Sequence, residues 1–274
     1  MKLLLLDVGN SRLKWALLRQ RYRRGRKFAA TGVVELPALH RSAAAWSQLF
    51  KATGTPDAIY VCNVAGAAME RQIRAASKRA GLGTPHFMRT AARTAGVRNA
   101  YPEPWRLGVD RWLGLIGARH EHPGKDLCLI GLGTAMTIDL LARNGRHFGG
   151  IIVPGPRLMI ESLLEHTAGI RRRAGRKGFS GTPSGSRAMF ACDTHGALIA
   201  GARHACAALI EHGIRQARLQ LGRRPRLILA GGAADAITPL LNGRYWRTDD
   251  LVLRGLAVVA TDAQAPDRIK SARA

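Results

Sequence analysis

One stretch of this chain occurs twice. Leu127-Cys-Leu-Ile-Gly-Leu-Gly-Thr-Ala-Met-Thr-Ile-Asp-Leu-Leu-Ala-Arg143 lies over Leu3 to Arg19 without a gap, at a constant offset of 124 residues. In each copy a short apolar run enters a glycine turn and leaves on a second, mostly apolar run, the pattern of strand, tight turn, strand. Gly9 falls on Gly133, Asn10 on Thr134 and Ser11 on Ala135. A hairpin of this kind cannot bury its own apolar face. Two of them this far apart therefore point to a duplicated α/β domain, each copy with its own helices.

The segments between and after the hairpins fit that reading. Strands are expected at Phe28 to Val34, at Ala58 to Val64 and near Pro85 to Met88, with helices over Ala38 to Ala52 and Ala65 to Ala80. A loop through Asn99 to Pro104 precedes a helix from about Val109. In the second copy, Phe148 to Gly155 reads as strand and turn, and Arg157 to Glu165 as a helix. Arg171 to Arg187, rich in Arg, Gly and Ser, reads as a mobile basic loop. Asp193 opens a long helix with Leu198, Ala202, Ala205 and Leu209 on one stripe. Arg226 to Gly232 is a strand running into a glycine turn, Leu251 to Ala260 a last apolar helix, and the final ten or so residues a disordered tail. The expected lobes are residues 1–120 and 121–274, the second carrying the basic tail.

Apolar residues make up 46% of the 274, enough for a substantial core. No apolar run approaches a membrane span, and Leu3 to Leu6 is too short for the core of a signal peptide, so a cytoplasmic protein without membrane association is expected. Cys62, Cys128, Cys192 and Cys206 show no metal-like spacing and read as buried, reduced thiols. His120 and His122 flank Glu121 with no third ligand nearby, which reads as an exposed turn between lobes. The net charge of +25 attracts polyanions. Without interleaved aromatic residues, nucleic acid would be held only by non-specific electrostatics, and arginine outnumbering lysine fits drift on solvated faces. Arg19 to Lys27, with six cations, reads as a solvated loop.

Chemistry concentrates in three places. In Asp7-Val-Gly-Asn-Ser11 the glycine lets backbone N–H groups approach an anion, Asn10 and Ser11 add neutral donors, and Asp7 is suited to Mg²⁺ held through water. Lys14 is placed to neutralise a phosphate. Gly133-Thr134 repeats the turn, so that one nucleotide would be clamped in a cleft between two hairpins. In Gly108-Val-Asp-Arg111, spacing alone favours Asp110 as a helix cap over Asp110 as a general base toward a substrate hydroxyl.

Taken together, Asp7-Val-Gly-Asn-Ser-Arg-Leu-Lys14, Gly108-Val-Asp-Arg111 and Gly133-Thr-Ala-Met-Thr137 resemble the type III pantothenate kinases of the acetate and sugar kinase/actin-like superfamily. Shorter matches extend the resemblance in order along nearly the whole chain: Gly96 to Tyr101, Gly149 to Gly155, Asp193 to Ala197, Gly231-Gly232 and Asp250 to Leu256. The resemblance implies two ribonuclease H-like (actin-like ATPase) lobes, ATP with Mg²⁺, and phosphorylation of pantothenate to 4′-phosphopantothenate, the first step of coenzyme A biosynthesis. On that footing Asp7, Val8, Gly9, Asn10, Ser11, Arg12, Leu13 and Lys14 form the first phosphate loop, and Thr134 touches ATP from the second. Asp110 becomes the catalytic base, reversing the preference for a cap. Tyr101, Gly108, Val109, Asp110 and Arg111 hold pantothenate, and Thr194 closes the substrate pocket across a homodimer interface. Gly231 and Gly232 lie by the adenine. The family uses a monovalent cation, K⁺ or NH₄⁺, at an aspartate that opens the second glycine motif. Gly131 stands there in this chain, with Asp139 or a backbone carbonyl as the remaining candidate ligands.

Two other readings start from the same residues. The +25 charge, the Arg171 to Lys177 cluster and Gly131 suit a non-catalytic regulatory factor that meets nucleic acid through its basic surface, and some proteobacterial relatives have been described as transcription accessory factors. Another superfamily member, such as a sugar kinase or phosphatase, is disfavoured by Gly108 to Arg111.

Overall fold

The computed structural model describes residues 1–175 and 187–263. The C-terminal tail and most of the Arg171 to Arg187 segment, each the subject of an expectation above, lie outside the described residues. The chain begins β1 (Leu3–Val8), β2 (Arg12–Leu18), β3 (Ala30–Glu35), α1 (Leu36–Arg41), α2 (Ala43–Thr53), β4 (Ala58–Asn63), α3 (Gly66–Arg79) and β5 (His86–Phe87). The short strands β6 (Arg93–Thr94) and β7 (Val97–Arg98) and helix α4 (Val109–Glu121) follow. Next come β8 (Leu127–Leu132), β9 (Ala135–Leu141), β10 (His147–Pro154), α5 (Pro156–His166), α6 (Ala168–Ala174) and α7 (Thr194–Leu221). The described chain ends with β11 (Arg226–Ala230), α8 (Ala234–Ile237), β12 (Tyr245–Arg247) and α9 (Leu251–Ala263). None of its helices is long and apolar enough to cross a membrane.

Two compact units result. One holds Met1–Gly124, Asn144–Arg146 and the chain from Asp250; the other holds Lys125–Arg143 and His147–Asp249. In the first unit the sheet order is β3-β2-β1-β4-β5, with β1 antiparallel to β2 and parallel to β4. Leu3 to Leu6 are fully buried because β1 is the middle strand, covered on both faces. Side chains alternate across a strand. Leu4, Leu6, Val8 and Leu13 therefore join Trp46, Leu49, Met69 and Ile73 in a core under α1, α2 and α3. Asp7 and Lys14, each next in sequence to a member of that core, point to the opposite face, and α4 and α9 pack there.

Helices α4 and α9 meet backbone to backbone. A Cβ on Gly255 would lie 1.9 Å from the Leu113 carbonyl oxygen, and one on Gly117 would lie 2.3 Å from that of Leu251. Only glycine permits that approach. Below the crossing, the Glu121 carboxylate accepts from the Tyr22 hydroxyl (2.6 Å), the Gly25 N–H (3.1 Å) and Arg254 (3.2 Å). Glu121 is thus a buried acceptor on α4, not part of an exposed turn. Burial opposes its ionisation, but these three donors hold its pKa below the usual value.

The second unit repeats the order as β10-β9-β8-β11-β12, around a core of Cys128, Ile130, Met136, Cys206, Ile210 and Leu229. The repeat is not gapless in space. Val8 pairs with Leu13 across a four-residue turn, whereas Leu132 pairs with Met136 across three. The Gly9 N–H reaches the Arg12 carbonyl (3.0 Å), but the Gly133 N–H closes on Ala135 (3.1 Å). Beyond the turn the spatial offset is thus 123, so that Lys14 corresponds to Thr137. The tighter turn is braced from within its own unit: a Cβ on Gly155 would lie 2.2 Å from the Gly133 carbonyl oxygen.

Other expectations shift for local reasons. The helix expected over Ala38 to Ala52 is two helices, because Ser42 is extended and its hydroxyl caps α2 through the Ala44 N–H (3.2 Å). Asp193 does cap α7, accepting from the Gly196 N–H, but the buried stripe is Leu198, Ala202, Cys206 and Ile210, leaving Ala205 exposed. Cys62, Cys128 and Cys206 are buried thiols; Cys192, in the segment leading into α7, is exposed.

Candidate active site

The end of β1 gathers opposite charges. Asp7 pairs in register with Lys14 on β2 and with Cys62 on β4. The Lys14 ammonium lies 3.5 Å from the carboxylate of Asp250, the residue immediately before α9. Asp250 holds a left-handed backbone (φ 58°) while its carbonyl accepts from the Arg254 N–H (2.9 Å). A non-glycine residue in that region carries strain that the surrounding structure must offset, and such strain gathers at functional sites. Burial pushes the Asp7 pKa up to about 7; Lys14 opposes the rise, the charges of Asp110 and Asp250 add to it, and the Cys62 thiol lowers it by hydrogen bonding. The Cys62 thiol is itself pushed well up by burial, with Asp7 and Asp110 adding to the effect. Asp110 is therefore an electrostatic neighbour of Asp7, although 103 positions separate them in sequence.

Asp110 sits in the first turn of α4, whose N-cap is Gly108. Its carboxylate accepts from the Arg111 N–H (2.8 Å) and folds over Gly108, where a Cβ would lie 2.7 Å from Oδ1. That contact ties up one of the helix's unpaired N-terminal donors. Arg111 Nη1 donates to the Tyr101 hydroxyl (3.3 Å), and Tyr101 N–H donates to Asn99 Oδ1 (3.0 Å). Asn99 in turn donates to the Pro104 carbonyl (3.3 Å), so the loop before α4 is internally tied. Tyr101, Asp110 and Arg111 form one group at this helix start; Gly108 is exposed and Val109 half-buried.

The first turn divides into two kinds of residue. Asn10 and Ser11 are exposed, and the Ser11 carbonyl accepts from the Leu36 N–H (2.9 Å), which fixes the turn against α1. Val8 and Leu13 are core residues that offer only their backbone. Arg12 pairs with Glu35 (2.8 Å) on the neighbouring strand β3.

In the second unit, Thr134 is exposed at the tip of its turn and its carbonyl accepts from the Gly155 N–H (2.8 Å). Gly231 (φ 101°) packs against the same turn, where a Cβ would lie 2.2 Å from the Leu132 carbonyl oxygen; Gly232 has open space. Thr194 lies elsewhere in this unit, as the first residue of α7. Gly131 pairs with Thr137, and a Cβ on Gly131 would lie 2.7 Å from the Thr137 hydroxyl. Asp139 instead meets His147, 3.0 Å away and fully buried.

A model of the type III pantothenate kinase family matches residues 3–216. The chain belongs to the type III pantothenate kinase family. A type III pantothenate kinase of Burkholderia thailandensis is 40% identical over 266 residues, covering 95% of this chain and 98% of the relative. That of Aromatoleum aromaticum is 39% identical over 268 residues (96% and 99%), and that of Nitrosococcus oceani 35% over 266 (95% and 94%). Among solved structures, one described as a Baf family transcriptional activator of Campylobacter jejuni aligns at a TM-score of 0.56 with 18% identity, covering 95% of this chain and 98% of the other. One described as a 2-dehydro-3-deoxygalactonokinase of Sinorhizobium meliloti aligns at 0.57 with 16% identity (96% and 99%). At those identities the likeness concerns the fold, which is that of the sugar kinase/actin-like ATPases, as the family resemblance implied; the duplicated hairpin had pointed only to a duplicated α/β domain.

Two residues of the charged group had no role assigned from sequence. Cys62 reads as a core thiol until strand register places it beside Asp7. Asp250 opens a family-like motif, but its partner Lys14 is 236 residues away.

Proposed function

We propose that this protein transfers the γ-phosphoryl group of ATP to the primary hydroxyl of pantothenate, giving 4′-phosphopantothenate, the first step of coenzyme A biosynthesis. The observation that carries the proposal is the group Asp7, Lys14, Asp110 and Asp250, assembled on one face of the first sheet in a chain of this family. Asp110 is the general base: its carboxylate, steadied by the Arg111 N–H, accepts the hydroxyl proton as the oxygen attacks. Arg111, oriented by Tyr101, binds the pantothenate carboxylate, with Gly108 and Val109 lining the site. The exposed turn N–H groups of Asn10 and Ser11 and the Lys14 ammonium hold phosphate oxygens, Gly9 closing the turn through its own N–H, and Thr134 is assigned to the nucleotide.

Mg²⁺ supplies charge neutralisation on the transferred phosphate when bound. Asp7 fits it: a desolvated carboxylate crowded by two others is relieved by a cation. Contact of Asp7 with Mg²⁺ through water is part of the proposal; among the described residues no group of three or more His, Cys, Asp or Glu could hold a metal directly. A monovalent cation fits less well, since Gly131 offers no carboxylate and Thr137 lies against it. Homodimerisation, with Thr194 closing a neighbour's substrate pocket, and a cytoplasmic location belong to the same proposal. The regulatory reading is not favoured, because the charged group is what a phosphotransferase needs.

The test is a coupled ADP-release assay with ATP and Mg²⁺, with and without K⁺ or NH₄⁺, and with mass detection of the product. ADP release that requires pantothenate and yields 4′-phosphopantothenate is expected. Folded protein that shows no pantothenate-dependent turnover with any cation would overturn the proposal.

A further inference from the structure

The β2–β3 loop collects positive charge without neutralising it. Arg19, Arg21, Arg23, Arg24, Arg26 and Lys27 lie within nine residues that include no acid. Of these, Arg21 has a carboxylate nearby, Asp262 at 3.7 Å, and both side chains are exposed. Arg19, Arg26 and Lys27, with Leu18, Gln20 and Ala29, line a cavity of about 250 Å³. None of the three cations has a carboxylate partner among the described residues. Arg26 is instead aimed by neutral acceptors, the Gln20 side-chain oxygen and the Arg21 carbonyl (3.4 Å).

Like charges this dense repel, and a loop free to respond would splay into solvent. This one is pinned. Tyr22, 4% exposed, points inward, stacks on Phe28 (ring centroids 5.8 Å apart) and donates to Glu121. The Gly25 N–H donates to the same carboxylate, and Arg254 neutralises it. Glu121 is therefore spent on the anchor and does not screen the cations above it. A concave surface whose lining residues carry two guanidinium groups and an ammonium, on a loop held by a buried anchor, suits a compact phosphate-type anion.

We propose that the cavity bounded by Arg19, Arg26 and Lys27 is a binding site for a small phosphate-bearing anion, separate from the nucleotide turn. The separation follows from the strand: Arg19 is eight residues from Ser11 along extended β2, or about 26 Å at roughly 3.3 Å per residue. The small cavity and the inward-turned ring favour a compact anion over nucleic acid, which would call for exposed aromatic faces.

Isothermal titration of the full-length protein with inorganic pyrophosphate tests this, at about 0.15 M salt to screen diffuse attraction. One-to-one binding that weakens at least tenfold in Arg19→Gln/Lys27→Gln, and persists in Lys14→Met, is expected. Both substituted positions are exposed, so the double variant should keep the wild-type melting temperature. Loss of binding in Lys14→Met with retention in the double variant would move the anion to the nucleotide turn and overturn the proposal. So would absence of saturable binding at this salt, or displacement of pyrophosphate by duplex DNA binding along its length. None of these outcomes depends on whether pantothenate is the substrate.

Discussion

The two hairpins share one frame and differ in what they carry. At the first, Asp7 faces Lys14 across the strand pair, beside Cys62 and under the influence of Asp110 and Asp250. At the corresponding place in the second, Gly131 faces Thr137. The first turn has four residues between its last strand pair, the second has three and is held from its own unit by Gly155 and Gly231. Strand order and burial repeat, but the charges gathered around Asp7 and Lys14 have no counterpart at Gly131 and Thr137; the second copy's buried pair, Asp139 and His147, lies further along β9 and β10. The second turn is left with main-chain groups and the Thr134 hydroxyl to offer. The comparison suggests a division of labour: charge and proton chemistry at the first copy, shape and neutral donors at the second.

Removing the proposed base should have the largest effect. Asp110→Asn keeps an acceptor for the Arg111 N–H but cannot take a proton, so kcat should fall by roughly 10²- to 10⁴-fold with little change in the KM for ATP. Steady-state kinetics with pantothenate and ATP would show it; near-normal turnover would remove Asp110 from the base role.

Breaking the platform under the first hairpin comes next. In Gly255→Ala the new methyl would meet the Leu113 carbonyl, and overpacking of this kind costs typically 1–3 kcal/mol. Thermal denaturation should show a clear fall in melting temperature, whereas Gly201→Ala on α7, with open space around it, should change little.

The third effect is pH-dependent. The folded-state pKa of Asp7, about 7, lies above its unfolded value of 3.8, so the folded protein binds the extra proton between those values. Stability should therefore fall as pH rises from about 4 to 7 and level off above. Melting temperatures in a chelating buffer should show a shallower fall for Asp7→Asn than for wild type. Asp250→Asn should fall in between, since asparagine tolerates the left-handed backbone while removing one of the charges that raise the Asp7 pKa.

The smallest effect sharpens the comparison from the other side. Gly131→Asp would put a carboxylate where the second copy lacks one, at the cost of turning the Thr137 hydroxyl aside. A modest stability loss and a rate that becomes more responsive to K⁺ are expected in the ADP-release assay.

Much of this was legible in the sequence where the physics is local. A glycine turn between apolar runs announces a hairpin, and Gly108-Val-Asp110 announces a helix start, so Asp7 and Asp110 stood out as soon as the turns were read. The contacts that give those residues their character are not local. Lys14 meets Asp250 only because α9 returns to the first unit, and Cys62 meets Asp7 only through parallel strand register. The shortened turn was missed because a gapless offset of 124 was carried past it: that offset lays Leu13 on Thr137 and Lys14 on Ile138, whereas 123 lays Leu13 on Met136, apolar on apolar, as the strand pairing shows. The glycine crossing of α4 and α9 was invisible, like the other non-local contacts: Gly117 and Gly255 look like ordinary helix glycines until their helices meet.

The division of labour is tested most directly by calorimetric titration of ATP, with and without Mg²⁺, into Asp7→Asn and Thr134→Ala. The account predicts that Asp7→Asn loses the Mg²⁺-dependent part of the affinity, whereas Thr134→Ala keeps it and binds within severalfold of wild type. Intact Mg²⁺ dependence in Asp7→Asn, or an equal loss in Thr134→Ala, would contradict it.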